Sequence, residues 1–95
     1  MKIYLTAIIE AKDEYRDEVI SVLKNMVEQT RKEDACELYS LHQGIDNKNL
    51  FAFYEIWKNE EGLSAHNQQS YIIAFGDLIG QKLKEKPMIL RTTLI

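Results

Sequence analysis

From residue 2 to residue 11 the chain alternates. Ile3, Leu5, Ala7 and Ile9 fall on one face, with Tyr4, Thr6, Ile8 and Glu10 on the other, which is the period-two signature of a strand. Lys12-Asp13-Glu14 breaks the run, and from Tyr15 the period turns helical. Tyr15, Val19, Val22 (with Leu23), Met26 and Thr30 recur at three- and four-residue steps. Asp13 is the expected N-cap, and the acids at positions 14, 17 and 18 suit the positive end of a helix dipole. Lys32-Glu33-Asp34-Ala35 is the exit turn.

Residues 36–43 read as a second strand, and Gly44-Ile45-Asp46-Asn47-Lys48-Asn49 as a polar hairpin loop of residues that tolerate left-handed backbone. Leu50 to Lys58 form a third strand. Asn59 is positioned to cap a short helix with Glu60 and Glu61 in its first turn. A second amphipathic helix is expected from about residue 69 to 84, with Ile72, Phe75, Ile79 and Leu83 on one stripe and Pro87 stopping it. Met88 to Ile95 is the closing strand.

The order is β-α-β-β-α-β, the split arrangement of ferredoxin-like α+β folds. Both helices of such a fold lie on one face of the sheet. The third strand is apolar on both of its faces, from Leu50 through Phe51, Ala52, Phe53, Tyr54 and Ile56 to Trp57. A sheet half in water would alternate instead. A second copy of the chain most simply covers the surplus face, so a homodimer is expected.

Ninety-five residues make one domain, 1–95, which buries roughly 60–65% of its unfolded surface. With 45% hydrophobic and 28% charged residues the chain is an ordinary globular one. The net charge of −3 comes from interleaved acids and bases, and no basic stripe offers phosphate contacts, which argues against a nucleic-acid partner. No apolar run approaches the length that spans a bilayer, so no membrane partner is expected. The N-terminus lacks a signal-peptide pattern, and the lone Cys36 fits a reducing compartment; the expected location is cytoplasmic.

Candidate chemistry gathers on the third strand and just beyond it. Glu55 and Trp57 share a face with Phe51 and Phe53. Leu63 and His66, three apart on the short helix, point the same way, and Tyr71 follows at the start of the next helix. Glu55, Trp57, His66 and Tyr71 together would supply one pocket with a base, donors and an aromatic wall. Phe51, Phe53, Leu63 and Phe75 are its candidate apolar lining. The plainer reading makes Trp57 a core filler, His66 a residue with one satisfied hydrogen bond, and Glu55 half of an ion pair.

Other chemistries find less support. His42 and His66 are in neither an HxH nor an HExxH spacing, so no metal site is expected. Gly44, Gly62, Gly76 and Gly80 are scattered and make no phosphate loop or dinucleotide fingerprint. Cys36 reads as a small buried hydrophobe, His42 as a surface residue, and Lys82 to Lys86 as a solvated helix end.

Glu10-Ala11-Lys12, then Thr30-Arg31-Lys32-Glu33 leading to Cys36-Glu37-Leu38-Tyr39, then Phe53-Tyr54-Glu55-Ile56-Trp57-Lys58-Asn59, and finally Ala65-His66 with Ser70 resemble the antibiotic biosynthesis monooxygenase (ABM) domain family. The likeness is to its small quinol-monooxygenase-like members and covers nearly the whole chain. Its most specific part is the E-x-W strand followed by a helix ending in Ala-His. Two departures stand out. Asp34-Ala35 replaces the Pro-Gly usual before the second strand, and Tyr71 stands near a place where many members have a histidine.

The resemblance implies a dimeric α+β barrel in which two sheets face each other and the C-terminal region reaches the partner. It also implies oxygenation of a small quinol, phenol or anthrone-like aromatic by molecular oxygen, with no flavin, metal or haem as cofactor. His66 is then the base by its ordinary pKa, and the Trp57 N–H and Tyr71 orient or stabilise oxygen. The axial histidine of the family's haem-degrading members would fall about ten residues after His66, where Gly76 stands, and their strand-one asparagine is missing from positions 2–11. Other relatives isomerise a small sugar-like ketone by acid–base chemistry, which makes an isomerase of a small carbonyl compound the alternative. A non-catalytic dimeric ligand-binding module is the third reading, because fold alone does not license activity.

Overall fold

The computed structural model describes all of residues 1–95. Four strands, β1 (Ile3–Glu10), β2 (Cys36–Gln43), β3 (Leu50–Trp57) and β4 (Met88–Thr92), form one antiparallel sheet in the order β2-β3-β1-β4. Three helices, α1 (Arg16–Thr30), α2 (Glu60–Asn67) and α3 (Ser70–Gly76), connect them. The ferredoxin-like expectation holds. No helix is long and apolar enough to cross a membrane.

The alternation of β1 is realised residue by residue: Ile3, Leu5, Ala7 and Ile9 are buried, and the residues between them only partly so. Ile3 pairs with Trp57, Leu5 with Glu55, Ala7 with Phe53 and Ile9 with Phe51. These rows make the inner face of the sheet. Val19, Leu23 and Met26 of α1 and Leu63 of α2 close on it to form the core.

β2 contains an irregularity the sequence did not announce. Cys36 opposes Trp57 and Leu38 opposes Ile56, so Glu37 is an extra residue on that strand. Such a bulge resets which side chains face in. Cys36 and Tyr39, three apart, therefore both lie opposite inward-facing residues of β3, and Tyr39 is buried opposite Glu55.

Several sequence expectations are corrected. Asp13 does not cap α1: residues Asp13–Tyr15 form a 3-10 turn, Tyr15 occupies the cap position, and no side chain bonds there. The Asp13 carboxylate instead accepts from Asn49 Nδ2 at 3.3 Å. The 44–49 loop turns without any residue at positive φ. Cys36 is half-buried, not buried. β3 ends at Trp57 and β4 at Thr92, short of the expected Lys58 and Ile95.

The second long helix forms only in its first part. α3 stops at Gly76, and Gly80 takes a left-handed backbone with φ +91°. Each glycine costs a helix interior about 1 kcal/mol, so the apolar period could not carry the helix through both. Leu78 turns into the core and Ile79 out of it. Lys82 to Lys84 then run beside the end of β1, with Lys12 N–H donating to the Lys82 carbonyl and Lys84 N–H to the Glu10 carbonyl, both at 2.9 Å. The charged run is thus a turn tied to the end of β1 by a single bridge, Ala11 to Leu83, rather than a helix end. Pro87, which has no N–H to donate, separates it from β4 instead of stopping a helix.

Asn59 caps α2 as expected, its Oδ1 accepting the Gly62 N–H at 2.8 Å. The sheet's outer face carries Thr6, Ile8, Ala52, Tyr54, Ile56, Leu38 and Leu90, with Tyr54 41% and Leu90 50% exposed in the single chain.

Candidate functional site

Between the inner face of the sheet and the three helices lies a cavity of about 80 Å³. Its floor is Leu5, Ala7, Ile9, Phe53 and Glu55; Met26, Leu63, Ile72 and Phe75 wall it, and Pro87 and Ile89 form part of its edge. Its polar groups are few: Glu55, His66, Tyr39 and Asn67. An apolar cleft with a handful of convergent polar groups is the usual form of a small-molecule site.

His66 arrives there because α2 is capped at Asn59 and buries Leu63, which turns the residue one helical turn on toward the sheet. The imidazole is 4% exposed and lies against the Trp57 ring, centroids 4.4 Å apart. Its Nδ1 is 2.9 Å from Glu33 Oε2. The same carboxylate oxygen accepts the Tyr71 hydroxyl at 2.5 Å. An ionised carboxylate can only accept, so a bond of this kind calls for Nδ1 as its donor. Nε2 makes no hydrogen bond within the chain. Burial holds the imidazole below the usual histidine value, with the bond and charge of Glu33 partly offsetting it. The ring is therefore neutral at pH 7.

Glu55 is 5% exposed, and its Oε1 accepts the Trp57 indole N–H at 2.8 Å. Burial pushes its carboxyl up to about 7; the indole bond pulls it partly back, and the charge of Glu33 adds to the rise. Tyr39, its ring tilted against Phe53 with centroids 4.8 Å apart, has its phenol driven far above the ordinary value by burial and by Glu55, and stays a neutral donor. Tyr71 is raised likewise, by burial first and then by Glu33.

The eight residues singled out in the sequence divide. Glu55, His66, Phe53, Leu63 and Phe75 line the cavity, whereas Phe51, Trp57 and Tyr71 do not. Phe51 lies farther along the same face, buried in the core. Trp57 is 0% exposed and its N–H donates a hydrogen bond to Glu55, and the Tyr71 hydroxyl donates one to Glu33. Neither donor points at an occupant of the cavity. Glu55 makes no ion pair; its partner is the indole.

Sequence reasoning assigned no role to Glu33 or Tyr39. Glu33 sits in a polar turn, where no periodicity marks one acid above another, and Tyr39 faces inward only through the bulge at Glu37. His42 is exposed and bonds Ser40 Oγ at 2.8 Å. No three His, Cys, Asp or Glu side chains are grouped to hold a metal.

Comparison with known proteins adds the family. The family model described as "Antibiotic biosynthesis monooxygenase" matches residues 2–77. A Bacillus subtilis (strain 168) protein named "Putative monooxygenase YcnE" is 31% identical over 93 residues, covering 97% of each chain. Among solved structures, Rv0793 from Mycobacterium tuberculosis superimposes with a TM-score of 0.92 at 18% identity, over 100% of this chain and 96% of that one. PA3566 from Pseudomonas aeruginosa gives 0.92 at 23% identity, over 99% and 94%. At such identities the two structures bear on the fold.

Proposed function

The chain belongs to the antibiotic biosynthesis monooxygenase family, and we propose that it is a cofactor-independent monooxygenase of a small quinol, phenol or anthrone-like aromatic. The observation that carries this reading is a buried histidine lining an apolar cavity, bonded at Nδ1 to Glu33 and with no partner at Nε2. A base of that kind takes a proton from the bound substrate. The resulting phenolate or enolate gives one electron to O2, and the organic radical and superoxide combine to form a C–O bond. The hydroperoxide then loses water: one oxygen atom stays on carbon as a carbonyl and the other leaves. Substrate C–H and O–H bonds supply all the electrons, so no further reductant is required.

Leu63, Phe53 and Phe75 hold the ring, and the dry wall keeps water from the anion. Glu55, with a carboxyl near neutrality, returns a proton to the peroxide as it breaks. Tyr39 donates to developing oxygen charge. Trp57 acts through Glu55, and Tyr71 through Glu33. The protein works as a homodimer whose outer sheet faces meet, supported by the apolar side chains on that face.

Oxygen uptake with a panel of quinols, phenols and anthrones tests the reading. Stoichiometric uptake that depends on His66 is expected, and its absence across the panel would overturn it. Two acid–base groups on one cavity, His66 and Glu55, favour a second reading, isomerisation of a small carbonyl compound. Turnover without oxygen would select that one.

A further inference from the structure

Glu33 stands outside the cavity, in the turn between α1 and β2, yet two groups from other elements converge on one of its oxygens. His66 Nδ1 comes from α2 and the Tyr71 hydroxyl from α3, at 2.9 and 2.5 Å. The Glu33 side chain is 13% exposed and that of His66 5%. A surface ion pair would be wet and loose; this one is enclosed, and the neutral imidazole makes it a hydrogen bond to a carboxylate.

An imidazole has two neutral forms, and only one of them offers a lone pair to the cavity. The form is chosen by the bond the other nitrogen makes. We infer that Glu33 is the positioning residue of this site, its carboxylate fixing His66 as the Nδ1–H tautomer, and that Tyr71 holds the carboxylate in place. Tyr71 thus acts two bonds away from the chemistry, not on oxygen. Its hydroxyl also takes up part of the Glu33 charge, so less of that charge reaches the imidazole.

Other groups packed around His66 do not replace this role. Glu55 of β3 is engaged by the Trp57 indole, Tyr39 of β2 makes no bond to the ring, and the half-buried Cys36 thiol is pushed up to about 11 by burial and stays protonated. Arg31, the nearby cation, gives both of its hydrogen bonds to the Tyr39 carbonyl.

The kinetic part of the test rests on the proposed function; the spectroscopic part does not, so the two can fail separately. Nitrogen-15 NMR of His66 in the unmodified protein should report Nδ1–H. Glu33→Leu removes the acceptor, so the proton should move to Nε2, and turnover should fall roughly 10²-fold, the lower range for losing a positioned base. Glu33→Gln keeps an accepting oxygen but not the charge. The tautomer should persist while the imidazole pKa drops, and the acid limb of kcat/KM should move down in pH with it. Tyr71→Phe should move both the other way. An Nε2–H tautomer in the unmodified protein would overturn the assignment, as would retention of Nδ1–H in folded Glu33→Leu. If Glu33→Leu does not fold, Glu33→Gln and Tyr71→Phe decide: an unchanged His66 titration in both leaves Glu33 a purely structural tie.

Discussion

A Cβ built on Gly62 would fall 2.2 Å from the Cβ of Ala35. The first turn of α2 therefore lies directly on the turn that carries Glu33, and this approach sets His66 within bonding distance of it. Lys58 N–H also donates to the Ala35 carbonyl, at 2.9 Å. Where the family resemblance expects Pro-Gly, this chain has Asp34-Ala35, and the added methyl group is accommodated because residue 62 has none.

Gly62→Ala should accordingly destabilise the fold although alanine is the better helix former. Propensity favours the change by about 1 kcal/mol, but overpacking a tight contact typically costs about 1–3 kcal/mol. A net loss in chemical denaturation is expected, together with weaker coupling between Glu33 and His66 in the His66 titration. Ala35→Gly in the same chain should recover part of it, the remainder being the 3.2 Å approach to the Asn59 carboxamide that caps α2. A Gly62→Ala protein as stable as the parent would refute the close-packing argument.

Glu55 should make stability fall with pH. Its folded-state pKa is raised from 4.5 to about 7, so between those values the folded chain holds a proton that the unfolded chain has released. Stability from this group is complete below about 4.5 and is lost as pH rises through about 7. Glu55→Gln keeps an acceptor for the Trp57 indole and cannot ionise. The variant should match the parent near pH 4 and exceed it by up to about 3 kcal/mol near pH 8. His66, shifted downward, works in the opposite sense in both proteins and cancels from the difference. A pH-independent difference between the two unfolding curves would count against a buried, proton-holding Glu55.

What could be read in the sequence was whatever has a period or a cap. β1 and β3 announce their inner rows through Ile3, Leu5, Ala7 and Ile9 and through Phe51, Phe53, Glu55 and Trp57, and Asn59 announces α2. His66 could be aimed at the sheet from its spacing to Leu63 alone. The 69–84 region misled because apolar residues at helical spacing say nothing of the left-handed turn at Gly80. Tyr39 was hidden by a one-residue bulge, and Glu33 by belonging to a turn whose position depends on Gly62, far off in sequence. Trp57 and Tyr71 carry an N–H and an O–H in any fold, but that these meet Glu55 and Glu33 is a tertiary fact.

The outer face of the sheet predicts the assembly. Leu38, Tyr54 and Leu90 are exposed there, beside half-buried Ile8, Ala52 and Ile56. Light scattering should give about twice the 11.1 kDa chain mass at micromolar concentration. Tyr54→Asp, which sets a charge in the middle of that face, should shift the chain toward monomer, whereas a charge at the already exposed Asn67 on the helical side should not. A monodisperse, soluble monomer of the unmodified chain would defeat the sheet-to-sheet arrangement.

His66 carries the reading of the site, and its replacement separates catalysis from packing. If Nε2 is the proton acceptor, His66→Ala should lower turnover of a quinol substrate by roughly 10²–10⁴-fold. The parent's activity should fall on acidification as the imidazole takes its proton, at a pH below the usual histidine value because burial disfavours the charged ring. That limb should vanish in the variant. Glu55 titrates close by, so the same profile in Glu55→Gln is needed to assign the limb, which must survive there. A histidine that only fills space would behave differently. Its loss would leave Glu33 one partner short, with the Tyr71 hydroxyl as its remaining donor, and cost about 1–3 kcal/mol of stability, while the folded fraction still turned over. His66→Gln keeps a donor for Glu33 and much of the packing but cannot serve as the base. Unfolding and turnover measured on one sample of this variant therefore distinguish the two roles. Near-parental stability with turnover lost places the chemistry at Nε2, and near-parental turnover removes His66 from the reaction.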